Sequence, residues 1–322
     1  MTHPPPPPTR NVAFVSHYDC ARHDTGWSHP DHQGRLPAVM RAVYGDMLTL
    51  VDHLEEIEGR HATDEELRLI HTAVYLDRVR GWAAEAAERG SPIEVRPGLV
   101  ISDSSWDAAR AAVGSALTAV DAVLERRVTR AFVAARPPGA GAAADEPGEF
   151  ALLNTVAIAA RYVRDRFQTG PVLVVELDGG SGSRLREVLG ATEGVRVLRL
   201  TAAEPGKSDP DDGRSTRALP VGSDGQSAVA ELRHLLDSDA REPVPALILL
   251  AAGFDMLDAD PRGTLALEPL DFHVLTVALR TYADRVCAGR LVSVLEGGYA
   301  PAELGTAVVQ HLRALADLPP SN

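Results

Sequence analysis

The sequence is poor in the residues from which metal clusters and basic binding surfaces are usually built. It has two cysteines, Cys20 and Cys287, which lie far apart and lack the paired spacing of a thiolate zinc site or a disulfide framework. Lysine occurs once, at Lys207, and the formal net charge of -13 leaves no overall basic surface. Direct binding to nucleic acid is therefore not expected.

The sequence also lacks an apolar run long enough to cross a membrane. The longest run, residues 244–254, contains Pro245 and is too short to span a bilayer. Prolines fill positions 4–8, which indicates a stiff, disordered arm over residues 1–10 and does not resemble a secretion signal. These features predict a cytoplasmic protein that does not bind membranes.

What the sequence does contain is an alternation of strand and helix patterns, most clearly in its second half. Largely apolar runs predict buried strands at 172–177, 246–251 and 291–295, and residues 195–200 are also typical of a strand. Helical periodicity predicts helices at 154–167, 183–189, 228–236, 272–288 and 302–316. This alternation is typical of a parallel β-sheet covered by helices on both faces, and we expect one α/β domain over residues 11–318.

The first half gives a weaker pattern. A first strand is predicted at 12–15, and Thr63 with Glu66 forms a capping box that predicts the start of a helix. The rest of the first hundred residues is predicted to be mainly helical. Residues 204–225 are rich in Pro, Gly, Asp and Ser and predict a long surface loop.

Ligands of parallel sheets bind beyond the carboxyl ends of the strands, so the segments that follow the predicted strands are the candidates for a functional site. They read Arg136-Pro-Pro-Gly139, Asp178-Gly-Gly-Ser-Gly182, Ala252-Gly-Phe-Asp255 and Leu295-Glu-Gly-Gly-Tyr299. Two earlier motifs, His29-Pro30-Asp31 and Arg35-Leu36, precede them. In their order along the chain, all these segments resemble motifs of the histone deacetylase superfamily, including its acetylpolyamine and acetoin-utilisation relatives. The resemblance covers residues 12 to 316 and implies an arginase/deacetylase-like fold.

The resemblance also implies a chemistry. In that family an Asp, a His and a second Asp hold zinc, which polarises an amide carbonyl and activates water. Two adjacent histidines transfer protons, and a tyrosine stabilises the oxyanion. By position, Asp178 and Asp255 match the two aspartate ligands and Tyr299 matches the tyrosine. Relatives also bind potassium near the first aspartate, so a potassium ion near Asp178 is a further possibility.

The departures from the family pattern fall on the histidines. Gly180 stands in place of the ligand histidine, and Ala140 with Gly141 stands in place of the catalytic pair. Two carboxylates without the nitrogen ligand make a poor zinc site, and loss of the general base alone typically costs about 10²- to 10⁴-fold in rate. We therefore predict a pseudoenzyme without a metal cofactor, which binds a protein partner or forms an oligomer, for example with an active paralogue. The residues expected to line its pocket are Gly139, Phe150, Gly180, Ser181, Gly297 and Gly298.

Two enzymatic or ligand-binding alternatives stay open. One is an active metal-dependent deacetylase of acetyl-lysine or acetylpolyamine that holds zinc with an altered ligand set, for which the candidates are His17, His23, His29 and His32. The other is a nucleotide or S-adenosylmethionine site at the loop from Gly179 to Ser183, although the next predicted strand has no acidic residue at its end to hold a ribose. In a third, structural interpretation Asp178 and Asp255 only cap helices or bond to loop amides.

Overall fold

One parallel sheet of eight strands organises the molecule. A computed structural model describes residues 11–180, 182–203, 214–240 and 242–321. The strands of the sheet are β1 (Val12–Ser16), β2 (Leu54–Glu58), β5 (Arg130–Val133), β6 (Val172–Asp178), β7 (Val195–Ala202), β8 (Thr216–Leu219), β9 (Leu247–Ala252) and β10 (Leu291–Leu295). Their order is β2-β1-β5-β10-β9-β6-β7-β8, and every neighbouring pair is parallel. A separate antiparallel pair consists of β3 (Ile93–Arg96) and β4 (Leu99–Ile101).

Helices pack on the sheet in two layers. The α-helices are α1 (Arg35–Gly45), α2 (Met47–Leu50), α3 (Asp64–Leu67), α4 (Ala73–Arg89), α5 (Ser105–Leu124), α6 (Thr155–Phe167), α7 (Leu185–Leu189), α8 (Gly225–Asp239), α9 (Pro269–Cys287) and α10 (Pro301–Leu315). A 3-10 helix at Tyr18–Arg22 follows β1. Helices α1, α8, α9 and α10 contact one another in one layer, and α4, α5, α6 and α7 do so in the other. Among the described residues, each helix falls short of the length or the apolar content that a bilayer crossing requires.

The position of each strand in the sheet explains its sequence. Strands β6, β9 and β10 are buried along their whole length, because helices cover both faces of the sheet centre. The edge strand β2 reads Leu-Glu-Glu-Ile-Glu and leaves glutamates exposed. The parallel α/β sheet predicted from the sequence is thereby confirmed.

Several local details differ from the predictions. The first hundred residues contain more helix than strand, as predicted, but they also contain β2, β3 and β4, which were not predicted because half-exposed strands with charged residues carry no continuous apolar run. Strand β8 lies inside the segment predicted to be a loop at 204–225, and residues 204–213 of that segment lie outside the described part of the chain. The helix predicted from 183 begins only at Leu185. The proline arm at residues 1–10 also lies outside the described residues.

Candidate functional site

The segments after four adjacent strands, β5, β10, β9 and β6, meet at the carboxyl edge of the sheet. They surround a pocket with about 490 Å³ of empty space, including its open mouth. Its lining residues are Pro138, Ala140, Gly141, Glu149, Phe150, Ala151, Glu176, Leu177, Asp178, Ala251, Gly253, Arg262, Glu296, Gly297 and Tyr299. The topology thus brings together segments that are far apart in the sequence.

Behind the pocket lies a buried group of charges, Asp31, Arg35 and Arg136, which we call the scaffold cluster. All three side chains are fully buried. Asp31 Oδ1 accepts hydrogen bonds from Arg35 Nη1 at 2.6 Å and from Arg136 Nε at 3.1 Å. Arg35 also donates to the backbone oxygens of Glu296, at 2.6 Å, and Gly298, at 2.5 Å. The scaffold cluster therefore fixes the turn after β10, on which Tyr299 stands.

A second group consists of Glu176 and Asp178, which line the pocket, and Arg199, which contacts both of them; we call it the pocket cluster. The parallel register places Glu176 beside Arg199 on the neighbouring strand β7. Arg199 Nη2 donates a hydrogen bond to Asp178 Oδ2, and Arg199 Nε lies 3.3 Å from Glu176 Oε2. Thr201 Oγ1 donates to the same Asp178 oxygen at 3.2 Å. The Arg199 guanidinium thus places a positive charge beside Asp178, which matches the first aspartate ligand of zinc in the family.

Asp255 lies next to this cluster. The backbone amide of Gly179 donates to Asp255 Oδ1 at 3.1 Å, which places the Asp255 carboxyl beside the residue that follows Asp178. Burial, reinforced by the negative charge of Asp178, raises the pKa of Asp255 well above its usual range. A Cβ atom at Gly297 would lie 2.7 Å from Asp255 Cγ, so the turn requires glycine at that position.

The positions that match the family histidines carry no imidazole. Ala140 and Gly141 line the pocket with a methyl group and a hydrogen. Gly180 is exposed, and its φ of +103° is a conformation that side chains with a Cβ rarely adopt. Tyr299 lines the pocket, with the Arg35 guanidinium 4.7 Å from its ring centroid and the Phe150 ring 5.4 Å from it. Of the family's two catalytic histidines and its oxyanion-stabilising tyrosine, only the tyrosine, Tyr299, therefore has a counterpart here.

The structure places the six positions expected to line the pocket in different environments. Phe150 and Gly297 line it. Gly139 packs against the backbone of Leu153 and Thr155, and Gly298 faces the side chains of Leu304 and Phe254, so both lie outside the lining. Exposed Gly180 lies outside it too, and Ser181 is outside the described residues.

Two further residues of the site, one in the pocket wall and one behind it, were not singled out from the sequence. Glu296 is buried, and its Oε2 accepts hydrogen bonds from the amides of Gly139, at 2.7 Å, and Ala140, at 3.0 Å. Its Oε1 has no hydrogen-bond partner in the described chain, and burial raises its pKa to about 7. The second such residue is Arg199. The only sign of it in the sequence is an arginine in the predicted strand that follows the strand ending in Glu176-Leu177-Asp178.

Four histidines were candidates to replace the missing ligand: His17, His23, His29 and His32. Among the described residues, none of them lines the pocket. His23 is buried with its Nδ1 2.7 Å from Ser105 Oγ, and burial lowers its pKa to about 3. His29 packs against the Phe150 ring in an edge-on arrangement, with centroids 4.7 Å apart. An imidazole ligand from this loop is therefore not in place.

These residues do not fit a zinc ion in the pocket. A structural or catalytic zinc site of this type needs a nitrogen ligand, and the described lining contains carboxylates without one. Asp178 Oδ2 is already engaged by Arg199 and Thr201. The arrangement is an acidic pocket in which Arg199 contacts the carboxylates of Glu176 and Asp178.

Comparison with known proteins places these observations in a family. The sequence matches the model of the histone deacetylase domain over residues 29–315. Human polyamine deacetylase HDAC10 is 29% identical over 323 aligned positions, which cover 94% of this chain and 48% of that protein. A histone deacetylase-like amidohydrolase from Pseudomonas aeruginosa is 29% identical over 88% of this chain and 76% of its own length. The chain spans about half the length of the HDAC10 relatives that it matches.

A solved structure supports the fold. The crystal structure of the HDA15 HD domain superposes with a TM-score of 0.83 and 23% sequence identity, and the superposition covers 97% of this chain and 90% of that domain. At this identity the likeness establishes the α/β arginase/deacetylase fold and leaves the chemistry to the site itself.

Proposed function

Because this chain belongs to the histone deacetylase family, we propose that it is a member which has lost zinc-dependent deacetylation and acts by binding a partner. The observation that carries the proposal is the Arg199 guanidinium, which contacts both Asp178 and Glu176. An active zinc site needs the charge of Asp178 for the metal, whereas here an arginine neutralises it. A potassium ion next to Asp178 would lie against the same guanidinium, so the proposal includes no cation in the pocket.

The partner in this proposal is a protein, such as an active paralogue or a second copy of the chain. The intact scaffold cluster supports it, because a binding role requires the fold and its surface but not the chemistry. A ligand carrying an acyl group is the second class that the pocket would accept, with Tyr299 and Phe150 as apolar walls.

The competing function is an active deacetylase or amidohydrolase. The relatives favour it, since they are a polyamine deacetylase and a histone deacetylase-like amidohydrolase. Glu296 favours it as well, because its unpaired Oε1 lies in the pocket wall and its pKa of about 7 suits proton transfer near neutral pH. Without a nitrogen ligand or an imidazole this glutamate would have to act alone.

The nucleotide alternative has no such support. The glycine loop leads into α7, a helix of five residues, and the Gly179 amide is already used by Asp255. The next strand, β7, ends at Thr201 and Ala202 without an acidic residue. We therefore do not carry this alternative into the proposal.

A turnover experiment tests the proposal. Purified full-length protein is incubated with excess Zn²⁺ and assayed with an acetyl-lysine reporter and with N-acetylated polyamine. We expect no hydrolysis above that of buffer, because the pocket lacks both the metal ligand and the base. The matched variants are Asp255→Asn and Tyr299→Phe, which remove a family ligand position and the family oxyanion donor without changing size. Wild-type turnover that both variants abolish would refute the proposal.

A further inference from the structure

A second group of metal-binding side chains lies at the same edge of the sheet, away from the pocket. His17 follows β1 directly, and His61 follows β2 after a short turn. Because Ser16 pairs with Glu58 at the ends of these two strands, both histidines emerge side by side. The side chain of His17 also caps the 3-10 helix that carries Asp19.

The three side chains converge on one oxygen atom. Asp19 Oδ2 lies 2.8 Å from His61 Nε2 and 3.8 Å from His17 Nδ1. In a tetrahedral zinc site with bonds of about 2.0–2.1 Å, neighbouring ligand atoms lie about 3.3 Å apart. One measured distance is slightly shorter and the other slightly longer than that value. The ligand atoms of all three side chains lie within 4.8 Å of one another, so modest side-chain shifts would create the coordination geometry.

The surroundings suit a bound ion. The side chains of His17 and Asp19 are 16% and 12% exposed, and that of His61 is 33% exposed, so the group is held firmly but has one side open to water. Arg22 Nη1 binds the other carboxylate oxygen, Asp19 Oδ1, at 3.0 Å and leaves Oδ2 directed at the histidines. Such outer hydrogen bonds orient metal ligands in known sites.

We propose that His17, Asp19 and His61 bind a divalent transition-metal ion, with zinc as the expected species. Two imidazoles and one carboxylate are a donor set that zinc accepts, with the fourth position left to water. The ion displaces the proton shared between His61 and Asp19, and coordination through His17 Nδ1 replaces the hydrogen bond that this atom accepts from the Asp19 amide at 3.1 Å.

This site is distinct from the pocket of the proposed function. The strands β1 and β9, which carry His17 and Asp255 at their ends, are three positions apart in the sheet, or roughly 14 Å at the usual strand spacing. The proposed loss of deacetylation therefore does not depend on whether this site binds zinc. Metal analysis of the protein must, however, distinguish the two locations.

The test is a titration of the full-length chain, stripped with a chelator, with ZnCl₂ by isothermal calorimetry at pH 7.5. We expect one zinc ion per chain, and a reduction of affinity of at least about tenfold in His61→Gln and in His17→Gln, since even loss of an outer-shell partner costs about 10- to 100-fold. Titration with Co²⁺ gives a second readout, because tetrahedral cobalt has intense visible absorption that both variants should lose. His234→Gln, on the exposed face of α8, is the control that should bind like wild type.

Circular dichroism in the presence of chelator shows whether each variant is folded before titration. Absence of zinc binding by the folded wild type would overturn the proposal, as would unchanged affinity in both histidine variants. If Asp255→Asn abolishes binding while His61→Gln retains it, the ion lies in the pocket; that result would overturn this inference and the proposed function together. Binding that is lost in the histidine variants and kept in Asp255→Asn supports the new site and leaves the proposed function unchanged.

Discussion

The scaffold cluster and the pocket cluster have opposite arrangements of charge. In the first, the carboxylate of Asp31 lies between two arginines, and in the second the guanidinium of Arg199 lies between two carboxylates. The scaffold arginines donate to backbone oxygens and hold turns in place, whereas Glu176 and Asp178 of the pocket cluster line the space where a ligand would bind. The residues that hold the backbone persist here, whereas of the positions matched to the family chemistry Asp178, Asp255 and Tyr299 persist and the three histidines are replaced by Ala140, Gly141 and Gly180. Retention of the scaffold motifs is therefore evidence for the fold and not for activity.

The largest expected effect comes from breaking the scaffold cluster. Replacing Arg35 by Met leaves Asp31 with one partner fewer and leaves the carbonyls of Glu296 and Gly298 without their donor. Loss of one partner from a buried ion pair typically costs about 3–5 kcal/mol, so we expect the free energy of unfolding to fall by about that amount. Urea unfolding followed by circular dichroism measures it.

Arg41→Met is the matched control, because Arg41 lies on the same helix, α1, with its side chain exposed. It should change the free energy of unfolding by less than about 0.5 kcal/mol. Equal stabilities of the two variants would show that the scaffold cluster does not hold the fold, and the contrast between the two clusters would then fail.

A smaller effect is expected from the pocket cluster. Replacing Arg199 by Met leaves the buried carboxylates of Glu176 and Asp178 without that counterion, but the Arg199 side chain is 21% exposed, and water screens part of the loss. We expect the free energy of unfolding at pH 8 to fall by about 2–3 kcal/mol, below the value for a fully buried pair. The deficit should shrink at pH 5.5, because burial and the neighbouring charge of Asp178 raise the pKa of Glu176 to about 7 and protonation removes its charge.

Denaturant unfolding at the two pH values measures this deficit. Arg233→Met on the exposed face of α8 controls for loss of a surface arginine. A deficit of the same size at both pH values would mean that the arginine stabilises the strand by packing and not as the counterion of the pocket. That outcome would remove the main support for the view that Arg199 neutralises the carboxylates of Glu176 and Asp178.

The centre of the fold was predictable from the sequence, and its edges were not. Strands β6, β9 and β10 are buried on both faces, so apolar residues dominate each of them. The edge strands β2 and β8 are exposed on one side and read Leu-Glu-Glu-Ile-Glu and Thr-Arg-Ala-Leu, which local patterns do not distinguish from loops. Their assignment depends on pairing with distant strands.

The candidate site shows the same limit. Asp178, Asp255 and Tyr299 could be placed from motif order alone, because each follows a recognisable strand. Arg199 could not, since its role depends on the register that puts it beside Glu176. The group of His17, Asp19 and His61 likewise depends on the pairing of β1 with β2, which joins residues more than forty positions apart.

Glu296 connects the two clusters and carries the smallest predicted effect. Its backbone oxygen accepts from Arg35 of the scaffold cluster, while its side chain lies in the pocket wall. Glu296→Gln keeps an oxygen that can accept from the amides of Gly139 and Ala140 but cannot ionise. The substitution therefore separates the charge of this residue from its hydrogen bonds.

Because burial raises the pKa of Glu296 from 4.5 in the unfolded chain to about 7 in the folded protein, the folded state holds an extra proton between these values. Stability of the wild type must then fall as pH rises through this interval, and it levels off above pH 7. Relative to Glu296→Gln, we expect the wild type to lose about 1–3 kcal/mol of unfolding free energy between pH 5 and pH 8. Urea unfolding at four pH values measures the difference, with Glu88→Gln on the exposed face of α4 as control. A wild type and a variant with parallel pH profiles would mean that Glu296 is ionised throughout, which would weaken the case that it can accept or release a proton in the rival enzymatic function.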